Sequence, residues 1–379
     1  MSRQQVMDRK IRILECIRQG QIGGGESHLL SLVSNLDRSK FDPVVLSFTD
    51  GPMVDRLREL NIDTQVIYTE KPFDISKWKI VKEYLRQQSI DLVHAHGTRA
   101  SSNVLWAARS LKIPVIYTIH GWSFHQDQSL LVRTVRVLGE KFLTRRSALN
   151  ISVSKSNQES GKKVIRDFES IVVNNGIDRK KFNPDSQFPD IRAELNLPKD
   201  KTLVLFIARF TSHKQPLALI EAFKEAVKLH PSMHLLMVGD GDQKEEAVRI
   251  IEAQGLKNDI TLVGFRQDVP AVLAAADIFV LPSLWEGLPI GLLEAMSMGK
   301  AIIASKVDGT IEIVHHEENG LLIDTKELVP GLTRALIGLS QSAPLREQYG
   351  RKAIETVRDR FNAENMTRQI EKLYLELLN

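Results

Sequence analysis

The feature that most constrains this chain is an alternation of two kinds of segment. Short β-branched apolar runs are separated by longer amphipathic stretches, and the pattern runs through once and then restarts. In the first half, the runs at 11–17, 44–48, 64–68, 92–96, 115–119 and 149–153 have strand length. The segments 27–36, 52–60, 76–88, 99–111 and 155–166 between them have helical character. In the second half, runs at 203–208, 234–238, 260–263, 278–281 and 301–304 alternate with helix-like segments at 216–229, 243–253, 269–275 and 288–298. Unbroken apolar runs bounded by helices read as parallel strands covered on both faces. Between the halves, 183–201 carries Pro184, Pro189 and Pro198. Proline removes a donor and fixes φ, so this stretch reads as a boundary. The expectation is an α/β chain of two doubly wound parallel-sheet domains, 1–182 and 183–360, facing across a cleft. A last helix at 361–379 presents Met366, Ile370, Leu373 and Leu377 as an apolar stripe.

Composition narrows the class. A chain of 379 residues suits two domains, and 42% hydrophobic with 26% charged residues excludes disorder, collagen and coiled coil. The single cysteine, Cys16, excludes an intramolecular disulfide and a multi-cysteine metal site. No apolar run approaches the roughly 18–20 residues that span a bilayer. The first ten residues are polar and Arg12 interrupts the apolar run after them, so no secretory signal is read and a cytoplasmic location is expected. Charge is unevenly spread. Residues 1–185 hold 29 Lys and Arg against 20 Asp and Glu, and the rest hold 22 against 27. A basic half suggests an anionic partner, and the bland alternative is solvated surface charge.

Several constellations bear chemistry. Gly23, Gly24 and Gly25 follow the first strand and precede a helix, so the backbone there can approach an anion at a helix N-terminus. The turn is neither GxGxxG nor a P-loop, and a simple tight turn is the alternative. Arg209 and Lys214 follow the first strand of the second half, at the sheet edge where open α/β folds bind ligands. A guanidinium fork and an ammonium there suit a diphosphate. Glu286 and Glu294, in Glu286-Gly-Leu-Pro-Ile-Gly-Leu-Leu-Glu294, straddle a helix start. Two carboxylates so placed suit vicinal hydroxyls of a sugar or ribose, whereas capping and solvated roles are the bland alternative. His94 and His96 have the spacing of a metal pair on one strand face, yet such residues are more often strand-end polar groups, and no metal is assigned. His120, which ends a strand in Tyr117-Thr-Ile-His-Gly121, is the better ligand contact, and His125 lies nearby. Between Ser129 and Ser147, five cations (Arg133, Arg136, Lys141, Arg145, Arg146) flank Leu130, Leu131, Val135, Leu138, Phe142 and Leu143. This is a basic amphipathic helix, suited either to an anionic membrane or to packing its stripe on the core, the latter slightly favoured. The aromatic interleaving of a nucleic-acid platform is missing, so no nucleic-acid partner is expected.

The motifs occur in a specific order. Gly-Gly-Gly-Glu, Thr-Ile-His-Gly, Ser152-Val-Ser, Asn175-Gly-Ile-Asp, Ala-Arg209 with Lys214, Gly239-Asp-Gly, then Pro282-Ser…Glu286-Gly-Leu-Pro…Leu293-Glu-Ala-Met…Gly299 together resemble the retaining glycosyltransferases of family 4. The resemblance covers essentially the whole chain. It implies the GT-B architecture of two Rossmann-like domains, with the donor held mainly by the second. It implies sugar transfer from a nucleotide-sugar, a UDP- or GDP-sugar, with retention and without a required metal or other cofactor. By this resemblance Arg209 and Lys214 would hold the donor diphosphate and stabilise the leaving nucleoside diphosphate. Glu286, beside Gly287, Leu288 and Pro289, would contact donor-sugar hydroxyls, and Glu294 would hold the ribose. His120 would touch the sugar, Gly23–Gly25 would close over the diphosphate, and Gly264, Phe265 and Arg266 would lie near the base. The last helix would cross back to the first domain. One departure is Val307-Asp-Gly-Thr-Ile-Glu312, where Asp308 stands in place of a common glycine.

The acceptor expected is lipid-linked or a saccharide, in surface polysaccharide or lipopolysaccharide assembly, with the enzyme peripheral at the inner face of the membrane. No residue is an obvious nucleophile for double displacement, which favours a front-face reaction. Two other readings stand beside this one. One is a nucleotide-sugar epimerase of the same architecture, which the Glu-Gly-Leu-Pro context opposes. The other is a non-catalytic nucleotide-sugar-binding protein.

Overall fold

The structure, a computed structural model, describes residues 9–125 and 128–378. It resolves into two compact units: residues 1–176 with 363–379, and residues 177–362.

In unit 1 seven parallel strands form one sheet: β1 (Ile11–Ile17), β2 (Phe41–Ser47), β3 (Asp63–Val66), β4 (Leu92–His96), β5 (Val115–Ile119), β6 (Leu149–Ser152) and β7 (Ile171–Val172). Their order is β3-β2-β1-β4-β5-β6-β7. Three of its helices matter below: α1 (Gly24–Asn35), α2 (Leu130–Arg146) and α4 (Ala363–Leu378). Unit 2 repeats the plan with β8 (Thr202–Ile207), β9 (Met233–Val238), β10 (Ile260–Val263), β11 (Ile278–Leu281), β12 (Ala301–Ser305) and β13 (Leu321–Ile323), ordered β10-β9-β8-β11-β12-β13. Its helix α3 (Ile290–Ser297) follows β11.

Burial explains the unbroken apolar runs. β4, β5, β9, β11 and β12 are buried at every position, because helices cover both faces of each sheet. In each unit the strand order reverses beside the first strand, between β1 and β4 and between β8 and β11. Crossovers run to opposite sides from such a point, and the loops leaving the carboxyl ends of the two strands part to leave a crevice. Those loops hold the motifs: Gly23–Gly25 follows β1, Arg209 follows β8, and Glu286 follows β11.

Three elements differ from the sequence expectation. The proline-bearing stretch 183–201 is not a free linker. Ile191 and Leu197 are buried, and the Arg192 guanidinium donates to Asp277 (2.8 Å) and to the carbonyls of Pro198, Lys201 and Ala275. The stretch is thus anchored within unit 2, which begins at Ile177 and not at 183. The second difference is in the closing segments of each unit. The short strands β7 and β13 are defined by pairing with their neighbours, whereas the helices 328–341 and 343–358, which the segments above do not include, carry a buried stripe at Leu328, Leu332, Leu336 and Leu339 and a Ser342 cap. The third difference is α2. It turns Glu140, Leu143 and Thr144 inward and leaves Leu130, Leu131, Val135, Leu138 and Phe142 exposed, so its apolar stripe faces outward and not into the core.

Helix α4 packs within unit 1. Met366, Ile370, Leu373 and Tyr374 join Ile13, Leu32, Phe41, Leu92 and Ile116 in one buried cluster.

Candidate active site

In unit 2, two loops meet at the reversal point. The Leu284 amide donates to the His213 carbonyl (2.8 Å), and the His213 ring stacks on Trp285 with centroids 4.1 Å apart and planes 10° from parallel. This tie brings Lys214 Nζ onto Glu286 Oε1 in an ion pair that is largely buried. Gln215, in a left-handed turn (φ 57°), and Pro216 then start the next helix. Ser283, in the same loop, is buried, and its hydroxyl has no partner among the described residues. Arg209 is exposed at the end of β8.

The Glu286 turn has a third support. The Gly309 amide donates to the Glu286 carbonyl (3.3 Å), and a Cβ on Gly309 would stand 2.2 Å from the Gly287 carbonyl oxygen. Residue 309 is thus glycine because two backbones touch there. Thr310 fastens the segment, its hydroxyl donating to the Ser305 and Val307 carbonyls. Asp308, the sequence departure, sits beside that contact.

Glu294 lies half-buried in α3, and no hydrogen bond from a described residue reaches its carboxylate. Burial pushes its pKa up to about 7, against a small downward pull from Lys181. If the ionised carboxylate accepts bonds from a ligand's hydroxyls, affinity must fall once it is protonated. Nucleoside diphosphate binding is expected to weaken about tenfold between pH 8 and pH 6 and to be flat over that range in Glu294→Gln. Calorimetric titration at the two pH values decides this, and a flat wild type rejects the carboxylate as a ligand acceptor. Without ligand the sign reverses. The native state holds a proton that the unfolded chain releases, so this group's contribution to stability declines as pH rises from its ordinary 4.5 to about 7.

At the edge of the same unit, the Phe265 amide donates to Asp240 (2.9 Å), and Phe265 is partly exposed. Arg266 gives its guanidinium to Glu194 and Asp268 on both sides. Its charge is therefore matched within the unit, and Gly264 and Phe265 are left as the surface a ligand could meet. Gly239 and Gly241 (φ 140° and 158°) let that loop lie against the backbone of Ala208 and Phe210.

Unit 1 gathers residues the sequence reading took singly. A Cβ on Gly25 would stand 3.5 Å from the His120 ring, so the glycine turn at the start of α1 lies directly against this imidazole. Behind it stand His96 (Nδ1 to His120 Nε2, 3.1 Å) and Glu15 (Oε2 to His96 Nε2, 2.8 Å). Tyr374 of α4 donates to Glu15 Oε1 (2.7 Å) and meets His94 Nδ1 (2.6 Å), while His94 Nε2 meets Thr118 (2.7 Å). His94 thus has ordinary polar partners at both nitrogens. His28, on α1, contacts Asn175 through Nδ1 (3.0 Å). Burial drives the imidazoles of His28, to about 3, and of His94 and His120 well below the usual range, so these rings are neutral at physiological pH.

Sequence reasoning missed Gly309, the His213–Trp285 stack, and the group Glu15, His28, Tyr374. Only His28, three residues past the glycine turn on a helix, gave a local signal.

Comparison with known proteins gives the family and the fold. Residues 22–181 match the family described as Glycosyltransferase Family 4, and residues 187–356 match Glycosyl transferases group 1. The chain is 26% identical, over 97% of its length and 98% of the relative's, to the UDP-Gal:alpha-D-GlcNAc-diphosphoundecaprenol alpha-1,3-galactosyltransferase of Escherichia coli. It is also 26% identical, over 76% of its length and 80% of the relative's, to the N,N'-diacetylbacillosaminyl-diphospho-undecaprenol alpha-1,3-N-acetylgalactosaminyltransferase of Campylobacter jejuni. Among solved structures, HepE of Anabaena, crystallised with UDP and glucose, superimposes with a TM-score of 0.85 over 97% of this chain and 100% of HepE, at 23% identity. The chain belongs to the family 4 glycosyltransferases and has the GT-B fold. Within that family it is a glycosyltransferase, and its relatives include enzymes of lipid-linked glycan and lipopolysaccharide biosynthesis.

Proposed function

We propose that this enzyme transfers a sugar, with retention of configuration, from a uridine diphosphate sugar to a lipid-linked saccharide. The observation that carries the proposal is the buried Lys214–Glu286 pair at the reversal point of unit 2, with Arg209 earlier in the loop that follows β8. An ammonium fixed in a largely water-free loop is preorganised for charge that develops on a departing diphosphate, where it is worth far more than in water. Lys214 and Arg209 supply the cationic stabilisation that a divalent ion would otherwise give, so the reaction proceeds without a metal on the diphosphate. Glu286, held in its turn by Lys214 and Gly309, accepts from donor-sugar hydroxyls, Glu294 accepts from the ribose, and His120 offers its imidazole to the sugar. Gly23–Gly25 presents helix N-terminal amides to phosphate, and Gly264 and Phe265 border the base. The leaving phosphate takes the acceptor's proton on the same face, since the turn offers no carboxylate beyond the one already paired. Uracil is favoured because the E. coli relative is named for UDP-Gal and HepE holds UDP.

The test is a thermal-shift panel of nucleoside diphosphates and their sugars in EDTA, on wild type and Arg209→Ala. UDP and one UDP-sugar are expected to raise the wild-type melting temperature by mass action and to leave the variant unmoved. A shift by GDP compounds alone rejects the uridine donor, and no shift with any nucleotide rejects the donor reading.

The lipid-linked acceptor draws support from α2. Leu130 (81% exposed), Leu131 (76%), Val135 (61%) and Leu138 (58%) form an outward apolar stripe, flanked by Arg133, Arg136, Lys141, Arg145 and Arg146. No described helix is long and apolar enough to cross a membrane. An apolar stripe with a basic border lies on an anionic bilayer, burying the stripe while the cations meet lipid phosphates. We place the enzyme peripherally at such a surface. Sedimentation with phosphatidylglycerol vesicles at low salt is expected for wild type, and Leu130→Glu/Leu131→Glu should stay in the supernatant. Equal sedimentation of both would reject α2 as the contact.

A further inference from the structure

The imidazoles of unit 1 have a hydrogen-bond order set by their partners. With Glu15 as a carboxylate, which only accepts, His96 must donate through Nε2. Its Nδ1 then carries a lone pair, and His120 Nε2, 3.1 Å away, donates to it. His28 donates from Nδ1 to the Asn175 side-chain oxygen, which leaves its Nε2 as a bare acceptor. That nitrogen is buried, on a residue 1% exposed, and it has no hydrogen-bond partner among the described residues. A buried lone pair without a donor costs free energy unless a ligand completes it. His28, His96 and His120 each bring one ligating atom to within 4.8 Å of the others.

We propose that His28, His96 and His120 form a binding site for one divalent transition-metal ion of the zinc, cobalt or nickel type. Metal–nitrogen bonds of roughly 2.0–2.1 Å at tetrahedral angles set ligand nitrogens about 3.3 Å apart. His96 Nδ1 and His120 Nε2 are already near that spacing, and a modest rotation of His28 brings in the third. Imidazole nitrogens select these borderline ions over magnesium or calcium. Two of the three rings have outer partners that hold them for coordination: Glu15 on His96 Nε2 and Asn175 on His28 Nδ1. On binding, the His120 Nε2 proton moves to Nδ1, which meets no described protein group, so no net proton need be lost. Three protein ligands leave a fourth position for water or a ligand atom. His94 is not part of the site, because Tyr374 and Thr118 engage both of its nitrogens. Resting on the transferase reading, the ion takes His120 away from the sugar, so a filled site opposes transfer.

The experiment is titration of metal-stripped full-length protein with cobalt(II) chloride, read by visible absorption and by calorimetry. One equivalent is expected to bind with the visible bands of a four-coordinate complex. His28→Ala and His120→Ala should each remove those bands, and Asn175→Ala should weaken binding about 10–100-fold. His315→Ala, at an exposed histidine of unit 2, should bind as wild type. Absence of stoichiometric binding, or bands that survive both His28→Ala and His120→Ala, overturns the site; the half-buried His120 variant keeps the test decisive if His28→Ala fails to fold. Zinc is further expected to slow transfer with the midpoint of its occupancy, reversibly with EDTA. Full transfer by the zinc-filled enzyme rejects the inhibitory role alone, and loss of UDP binding in the thermal-shift panel rejects the transferase reading without touching the cobalt result.

Discussion

A Lys214→Met enzyme is expected to lose about a hundred- to a thousandfold in kcat, the effect of removing one preorganised charge donor from a developing anion, or roughly 2.7–4 kcal/mol. Two effects mix in that variant. The charge proposed to stabilise the leaving diphosphate is gone, and Glu286 is left largely buried without its countercharge. Breaking one side of a buried pair destabilises the fold by about 3–5 kcal/mol, so the melting temperature should fall as well. Lys214→Met/Glu286→Gln separates the two. Replacing both partners removes the stranded carboxylate and should recover most of the lost melting temperature, whereas kcat should stay at or below the single variant's. Recovery of kcat together with stability would show that Lys214 serves only to hold the loop. The chemical step should be followed by single-turnover kinetics, because product release could mask a change in kcat alone.

Gly309→Ala carries the second large effect, although residue 309 need not touch substrate. Its Cβ would meet the Gly287 carbonyl oxygen at 2.2 Å, a distance that real Cβ contacts essentially never show, so one backbone must move. The Gly309 side is held by Thr310 to the end of β12, and the Glu286 turn is held by Lys214 and by the Leu284–His213 bond. Either retreat shifts the Glu286 carboxylate relative to Lys214. A misplacement of about 1 Å at a reacting group costs on the order of a hundredfold in rate. The expectation is therefore a loss of about that size in kcat/KM. UDP affinity should change much less, since Arg209 and Glu294 lie on other segments. Asp308→Gly, one residue earlier, creates no such clash and provides the comparison. Wild-type kcat/KM in Gly309→Ala would mean that the turn relaxes without moving the carboxylate.

The fold was legible because parallel strands covered on both faces have to be apolar along their whole length. β1, β4, β5, β10 and β11 fall where the apolar runs lie, and β2, β3, β6, β8, β9 and β12 shift by a few residues at their ends. Where a strand is only two or three residues long, as in β7 and β13, local sequence holds too little information and the neighbouring strand decides. The units divide at 176/177, a few residues before the expected 182/183, because Ile177 bridges to Asn362 and the Phe182 carbonyl accepts from Ser297, pairings at long range that no local pattern announces. Proline marks 183–201 as irregular backbone but not how it is anchored, which Arg192 does through four acceptors. At the site, motifs contiguous in sequence were readable: the glycine turn, Arg209 with Lys214, and the two glutamates. What escaped was pairing at long range. Nothing local says that Glu15, His96 and Tyr374 share one hydrogen-bonded group, or that Gly309 is glycine because of Gly287. The orientation of α2 was also beyond pattern, since periodicity reveals a stripe and not which way it points.

The discontinuity of unit 1 bears on how the protein comes off the ribosome. The chain leaves unit 1 at Gly176 and rejoins it only at Ala363, after every residue of unit 2 has been made. Until then the sheet face formed by Ile13, Leu92 and Ile116 lacks Ile370, Leu373 and Tyr374, and Glu15 lacks the hydroxyl that caps one of its oxygens. Unit 2 has all its strands beforehand. The nascent chain should thus finish its later-synthesised body first, reversing the usual N-terminal-first order of domain folding. An uncovered apolar face on the earlier body is the surface a ribosome-associated chaperone would meet.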